Sequence, residues 1–222
     1  MTAICTFMPP SADMSLLSLI QWLSPAFPTG GYAYSHGLEQ AVVDNAMTDA
    51  ASLKRWLTDI LTHGSGRQDA ILLACALRPD AALDALTDLA RALSSSAERQ
   101  QETLAQGTAM AQTVAAVTGR TLPPRPLPVA LGEAAAPLNL PAAQVLALYL
   151  HAFASNLIQC MVRFVPLGQT EGQATLTALP PRITRRAETL ATATVEDLAT
   201  ASFGAEMAAM RHETLQPRIF KT

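Results

Sequence analysis

Apolar residues recur at helical spacing through almost the whole chain. Leu16, Leu17, Leu19, Ile20 and Leu23 predict a first helix over residues 15–23, ended by Pro25. The pattern resumes at Leu38, Val42 and Val43, predicting a second helix that Ser35 opens and that reaches about Asn45. Asp49 begins a third, with Leu53, Trp56, Leu57, Ile60 and Leu61 on one face and Gly64 at its end. Residues 65–78 read as a helix closed by Pro79, residues 80–93 as a short one, and residues 97–118 as a long one between Ser96 and Gly119. Beyond lie a helix over 129–136, a central helix whose first turn starts at Pro141, and a stretch over 168–191 that Pro180 and Pro181 must kink or interrupt. Thr194 and Asp197 fit a capping box for a helix over 195–202, and a last helix runs to about Arg211.

The tract over 145–165 is apolar enough and long enough to be tested as a membrane span. It carries His151, Ser155, Asn156, Gln159 and Arg163, and an arginine at mid-bilayer is costly, so the tract reads as a buried core helix. A helix apolar on most of its circumference belongs inside a bundle. The proline-rich segment 121–128 is short, and the helices beside it are too apolar to stand as separate surfaces. The expected fold is therefore all-α, a single-domain multi-helix bundle over residues 15–212 around a buried central helix. Residues 1–14 are expected to be a flexible N-terminal segment and residues 213–222 a docking tail.

Composition sharpens this picture. Half of the 222 residues are hydrophobic and only 15% are charged, against about 25% in an average domain, so apolar surface must remain for partners. We expect a twofold homodimer, with the small residues Ala105, Gly107, Ala109 and Ala111 and the central helix as its candidate contacts. A net charge of −3 and the lack of a basic stripe in the sequence argue against a nucleic-acid partner. Cys5, Cys75 and Cys160 are odd in number and far apart, which suits reduced thiols, and no secretory signal is evident, so a cytoplasmic protein is expected.

Residues 24–39 (SPAFPTGGYAYSHGLE) break the helical pattern. Pro25 and Pro28 fix the backbone, Gly30 and Gly31 permit unusual angles, and Tyr32 and Tyr34 are two of only three tyrosines. The residues leave two readings open: a stiff loop that presents aromatic anchors, or a tight interhelical turn whose tyrosines pack. Glu39 either accepts hydrogen bonds from this loop or is a solvated first-turn glutamate.

Catalytic chemistry is hard to find. No Gly-x-x-x-x-Gly-Lys-Ser/Thr loop or Gly-x-Ser-x-Gly elbow occurs, and Gly64-Ser65-Gly66 reads as a tight junction between helices. His36, His63, His151 and His212 lack metal-ligand spacing; His151 is expected in the core or an interface, and His63 at a helix C-terminus. Glu98, Arg99 and Glu102 read as an ordinary charged helix face, and Arg182, Arg185 and Arg186 as a solvated one. The tail differs: Ile219 and Phe220 beside Arg218 and Lys221 suit a segment that docks, on its own domain or on a partner.

Segment 24–39 resembles the N-terminal signature of the urease accessory protein UreF family. Two further segments match that family in the same order, 166–173 (PLGQTEGQ) and 210–222 (MRHETLQPRIFKT), so the resemblance runs from about residue 15 to residue 222. It implies a non-enzymatic, cofactor-free, all-helical homodimer of urease maturation, with no nucleic-acid or membrane partner. Such a protein binds UreD (UreH), recruits the GTPase UreG and docks on urease apoprotein for GTP-dependent nickel delivery. By motif, the implied partner-binding residues are Pro25, Pro28, Gly30, Gly31, Tyr32, Tyr34, Ser35, His36, Gly37 and Glu39 in the loop. Gly168, Gln169, Thr170, Glu171 and Gly172 form a second element, and Arg211, His212, Glu213 and Arg218 a third. Ala33 and Lys221 depart from commoner serine and arginine, and at 221 a planar fork becomes a point charge. Two rival roles are a GTPase regulator that inserts Arg218 or Arg211 into the UreG site, and a direct nickel carrier.

Overall fold

A computed structural model describes residues 12–222; Cys5 and most of the expected flexible segment lie outside the described residues. Among these, eleven α-helices form and no strand. They are α1 (Ala12–Leu23), α2 (Leu38–Val43), α3 (Ala50–His63), α4 (Ser65–Ala76), α5 (Leu83–Ala92), α6 (Ala97–Thr118), α7 (Leu127–Ala135), α8 (Ala142–Phe164), α9 (Gln169–Thr177), α10 (Pro180–Leu190) and α11 (Phe203–His212). The expected all-α bundle is therefore the fold. Helix α1 begins at Ala12, so Ala12, Asp13 and Met14 belong to it and not to a flexible leader.

Local chemistry sets the boundaries. Asp49 and Ser52 cap α3 reciprocally: the Ser52 amide donates to the Asp49 carboxylate at 2.7 Å, and the Asp49 amide to Ser52 Oγ at 3.0 Å. Gly119 ends α6 in the left-handed region, at φ 70°. Pro180 and Pro181 split the stretch expected over 168–191 into α9 and α10. The Thr194–Asp197 capping box forms, but only a 3-10 turn, Val195–Asp197, follows it. The helix expected over 195–202 fails because the chain is drawn onto the α3–α4 junction, where the Ala201 amide donates to His63 O at 2.9 Å and Ser202 is buried.

Helix α8 organises the core. It packs on α1, α2, α3, α4, α9 and α10, and buries Val145, Leu146, Leu150, Ala154, Leu157, Ile158 and Met161. It is also the one described helix long and apolar enough to cross a membrane by length and composition; half of its most apolar window is buried within the bundle. Its other side is mostly half-buried, and His151, expected in a core or interface, is exposed in the chain described.

Segment 121–128, proline-rich in sequence, follows α6 and runs into the start of α7. It folds back so that α7 packs along α6, and a Cβ at Gly107 would sit 2.0 Å from Arg125 O. The Leu127 amide donates to Thr103 Oγ1 at 3.2 Å on the same face. Gly107 and Ala111, expected to help a dimer contact, are thus spent on packing inside the chain.

Candidate functional site: a loop and a tail held by buried charges

The loop after α1 is stiff. Gly30 and Gly37 adopt φ 71° and 77°, and His36, a residue with a side chain, is held at φ 59°. A Cβ on Gly37 would meet the Ala209 amide nitrogen at 2.8 Å, so only glycine allows α2 to start this close to α11. Helix α8 pins the same loop: Asn156 Nδ2 donates to Gly31 O at 2.9 Å, and the Cys160 thiol to Tyr34 O at 3.4 Å. Burial pushes that thiol up to about 12, so it acts as a weak donor and not as a nucleophile.

The tail returns to this loop. The Lys221 amide donates to Ala33 O and the Ser35 amide to Thr222 O, both at 2.8 Å, pairing the two segments as short extended strips. Ser35 Oγ donates to Thr222 O as well and accepts from the Glu39 amide at 3.2 Å. Phe220 is buried with its ring edge-on to Phe164 at 6.0 Å, and the Lys221 ammonium lies 5.8 Å over the Tyr34 ring.

Glu39 is the keystone. Only 1% exposed, it is no solvated first-turn residue: its carboxylate accepts from the Ile219 amide at 2.8 Å, the Phe220 amide at 2.9 Å and His212 Nε2 at 3.1 Å. His212, fully buried at the end of α11, directs Nδ1 to Glu98 at 2.7 Å. Arg218 pairs with the other oxygen of Glu98, and Glu213 accepts from the Ala97 amide at 2.7 Å, a free donor at the N-terminus of α6. Three carboxylates, one imidazole and one guanidinium thus bind α2, α6 and α11 to the tail.

A second polar layer lies beneath. Arg99 and Glu102 are buried and ion-paired, and Thr222 Oγ1 donates to Glu102 at 2.7 Å. Burial alone would raise the Glu102 carboxyl, but Arg99 and then His36 outweigh it and pull it down to about 2. Asp69 is shifted the other way, upward by burial, and accepts from Tyr149 Oη at 2.7 Å. Asp69, Arg99 and Glu102 floor a cavity of about 120 Å³ whose walls include Trp22, Tyr32 and Phe153.

The sequence-derived site residues therefore divide. Tyr34, Ser35, His36, Gly37, Glu39 and His212 are buried supports, so Tyr34 is not the exposed anchor expected of it. Pro25, Pro28, Tyr32, Arg211, Glu213 and Arg218 lie at the surface, with Tyr32 64% exposed, while Gly30 and Gly31 are half-buried. The second element joins neither group. Glu171 accepts from the Gly168 amide at 3.0 Å to cap α9, and Gly172 lets α9 approach Val162, where a Cβ would come within 2.7 Å. Gly168, Gln169 and Thr170 are exposed, and Phe164, a few residues upstream, supplies the link to the tail.

The tail is not a separate appendage, and the boundary drawn at 213 falls inside a packed unit, since Phe220 and Thr222 are buried. Glu98, Arg99 and Glu102 are not an ordinary charged face either. Their signal was present: Glu98 and Glu102, like charges one turn apart, destabilise a helix unless something faces them. Among the described residues, no group of three or more His, Cys, Asp or Glu side chains is arranged to hold a metal ion.

Fold and site together define an all-α protein built around a self-docked tail, with buried ion pairs spent on holding one surface in shape. Its sequence places it further. The UreF family model matches residues 47–180. The chain is 64% identical over 208 residues to the urease accessory protein UreF of Cereibacter sphaeroides, covering 94% of this chain and 99% of that one. It is 52% identical over 210 residues to that of Paracoccus denitrificans (95% and 97%), and 50% over 211 residues to that of Roseobacter denitrificans (94% of each). The chain belongs to the UreF family of urease accessory proteins.

Proposed function

We propose that this chain is a cytoplasmic scaffold of urease maturation that binds UreD (UreH), recruits the GTPase UreG and thereby supports GTP-dependent nickel delivery to urease apoprotein. The observation that carries the reading is the exposure of Tyr32 (64%) and Ile219 (74%) on backbone that buried charges hold rigid. Large apolar side chains fixed in place lose little entropy on docking, which suits them to anchor a partner. Arg218, engaged by Glu98, serves in this reading to fix the tail, not as a finger in the GTPase site. The exposed apolar residues Leu17 and Ile20 of α1 and Phe203, Met207 and Met210 of α11 supply area for a twofold homodimer or for these partners.

Size-exclusion co-elution with UreD and UreG tests the reading. Tyr32→Ala and Ile219→Ala are each expected to weaken assembly by about 1–3 kcal/mol while leaving the helical spectrum unchanged. Unaltered co-elution and unaltered urease activation by both variants would refute the docking role.

A further inference from the structure

The sequence holds fifteen Lys and Arg residues, and six of them, Lys54, Arg55, Arg67, Arg182, Arg185 and Arg186, lie on α3, α4 and α10. Helical periodicity puts Arg182, Arg185 and Arg186 on the flank of α10 beside the buried stripe of Ile183, Ala187 and Leu190, with Arg186 bordering that stripe. Arg182 joins Lys54, Arg55 and His63 around an open depression of about 580 Å³ between α10 and α3. Arg67 of α4 continues the patch: burial, then Arg67 and Arg182, lower the Arg186 pKa below its ordinary value. The patch is assembled from distant stretches of chain, so no basic run in the sequence announces it.

Most other cations are spoken for. Arg99, Arg125, Arg211 and Arg218 hold carboxylates, and Arg78 and Arg120 hold backbone carbonyls. The side chains of Lys54, Arg55, Arg182, Arg185 and Arg186 make no hydrogen bond or ion pair among the described residues, and the Arg67 side chain reaches only Ala199 O, at 3.1 Å. The acidic groups on the outer sides of α3 and α10 are Asp49, Asp59 and Glu188, and Asp59 already accepts from Ser202 Oγ. A chain of net charge −3 therefore gathers an uncompensated excess of positive charge on one face. Such crowding costs stability in the free protein, and an anionic partner removes the cost.

We propose that this face of α3, α4 and α10 docks an acidic polypeptide segment of a partner protein, at a site separate from the loop and tail. The depression is open and α10 begins with Pro180-Pro181, which offer no N–H groups, so nothing there closes around a small oxyanion. Arginine forks spread over three helices suit several carboxylates along an extended chain, each taken by two parallel hydrogen bonds. The interspersed Asp49, Asp59 and Glu188 disfavour the denser charge of a nucleic-acid backbone.

The test uses the full chain and fluorescein-labelled poly-L-glutamate of about 20 residues, followed by anisotropy at about 50 mM NaCl, where screening is weak. Arg182→Gln/Arg186→Gln and Lys54→Gln/Arg55→Gln are each expected to weaken binding about tenfold, and an Arg91→Gln/Arg163→Gln control to leave it unchanged. Polyglutamate is expected to raise the melting temperature of the parent protein and not of the patch variants, whose own melting temperatures stay equal or rise. That last result also excludes misfolding as the cause of lost binding. No binding by the parent protein, equal binding by the patch variants, or tighter binding of duplex DNA of matched charge would each overturn the proposal.

Discussion

Replacing Glu39 with alanine removes one carboxylate and strands three donors. The Ile219 and Phe220 amides and His212 Nε2 all end on it, in a site it shares with almost no water. Charge-assisted hydrogen bonds of this kind contribute about 1.5–3 kcal/mol each. Their sum is not the expected loss, because the tail can leave and let water satisfy its two amides. It then forfeits the burial of Phe220, about 1.5–3 kcal/mol, together with the pairing of Lys221 and Thr222 to the loop. His212 cannot leave, since it is fully buried on α11, and it faces Glu98 alone. We therefore expect Glu39→Ala to lower global stability by about 3–5 kcal/mol, the usual cost of breaking a buried ionic network. Glu39→Gln keeps one acceptor oxygen but turns an NH₂ toward the other donors, and is expected to recover only part of this. Urea unfolding followed by circular dichroism gives the magnitude, and hydrogen exchange of residues 33–38 and 213–222 reports the tail. A loss under about 1 kcal/mol with slow exchange retained at Ile219 and Phe220 would refute the keystone role.

Glu102, held from its ordinary 4.5 down to about 2, contributes about 3 kcal/mol that is fully present above pH 4.5 and is lost as pH falls toward 2. Asp69, shifted upward chiefly by burial and in part by Glu102, opposes this slope, so the difference between parent and Glu102→Gln unfolding curves across that window reads the Glu102 share together with its coupling to Asp69. Gly37→Ala and Gly30→Ala impose the same left-handed strain, but only the first Cβ meets backbone, at 2.8 Å. Gly37→Ala should cost at least about 2 kcal/mol more in thermal unfolding, and equal costs would show that α2 and α11 separate easily. The Cys160 thiol should stay unmodified by iodoacetamide at about pH 8 in the folded protein and react on unfolding, as read by peptide mass spectrometry. Deleting 213–222 should cost about 2–4 kcal/mol, since it empties the Glu39 site and uncovers Phe164.

The helices were legible because their signals are local. Pro25, Gly64, Pro79, Gly119 and Pro141 punctuate an apolar pattern that recurs every three to four residues, and the observed helices follow it within a few residues. The helix expected over 195–202 shows the limit. Its capping box formed as read, yet a hydrogen bond from the Ala201 amide to a carbonyl more than a hundred residues away decided the backbone. Long-range pairing is also why Glu39, Glu98, Glu102 and His212 could not be read as one cluster. Each is an unremarkable residue on its own helix, and only the approach of α2, α6 and α11 turns them into a clamp.

That clamp changes what the family-like segments say about contact. A residue can be indispensable to a docking surface without touching the partner, and the loop separates the two roles by burial. Ser35, His36, Gly37 and Glu39 lie inside, where they fix the backbone of residues 33–35 against 221–222; Pro25, Pro28 and Tyr32 lie outside. Substitutions in the first group should therefore change stability and assembly together, because the same broken bonds loosen both. Changes in the second group should move assembly alone. The basic face of α3, α4 and α10 obeys the opposite rule, since most of its cations hold no partner in the free chain and repel one another, so removal of those partnerless side chains should leave stability equal or improved. Stability and binding measured side by side on one variant from each group would thus separate support, anchor and charge patch by physics alone.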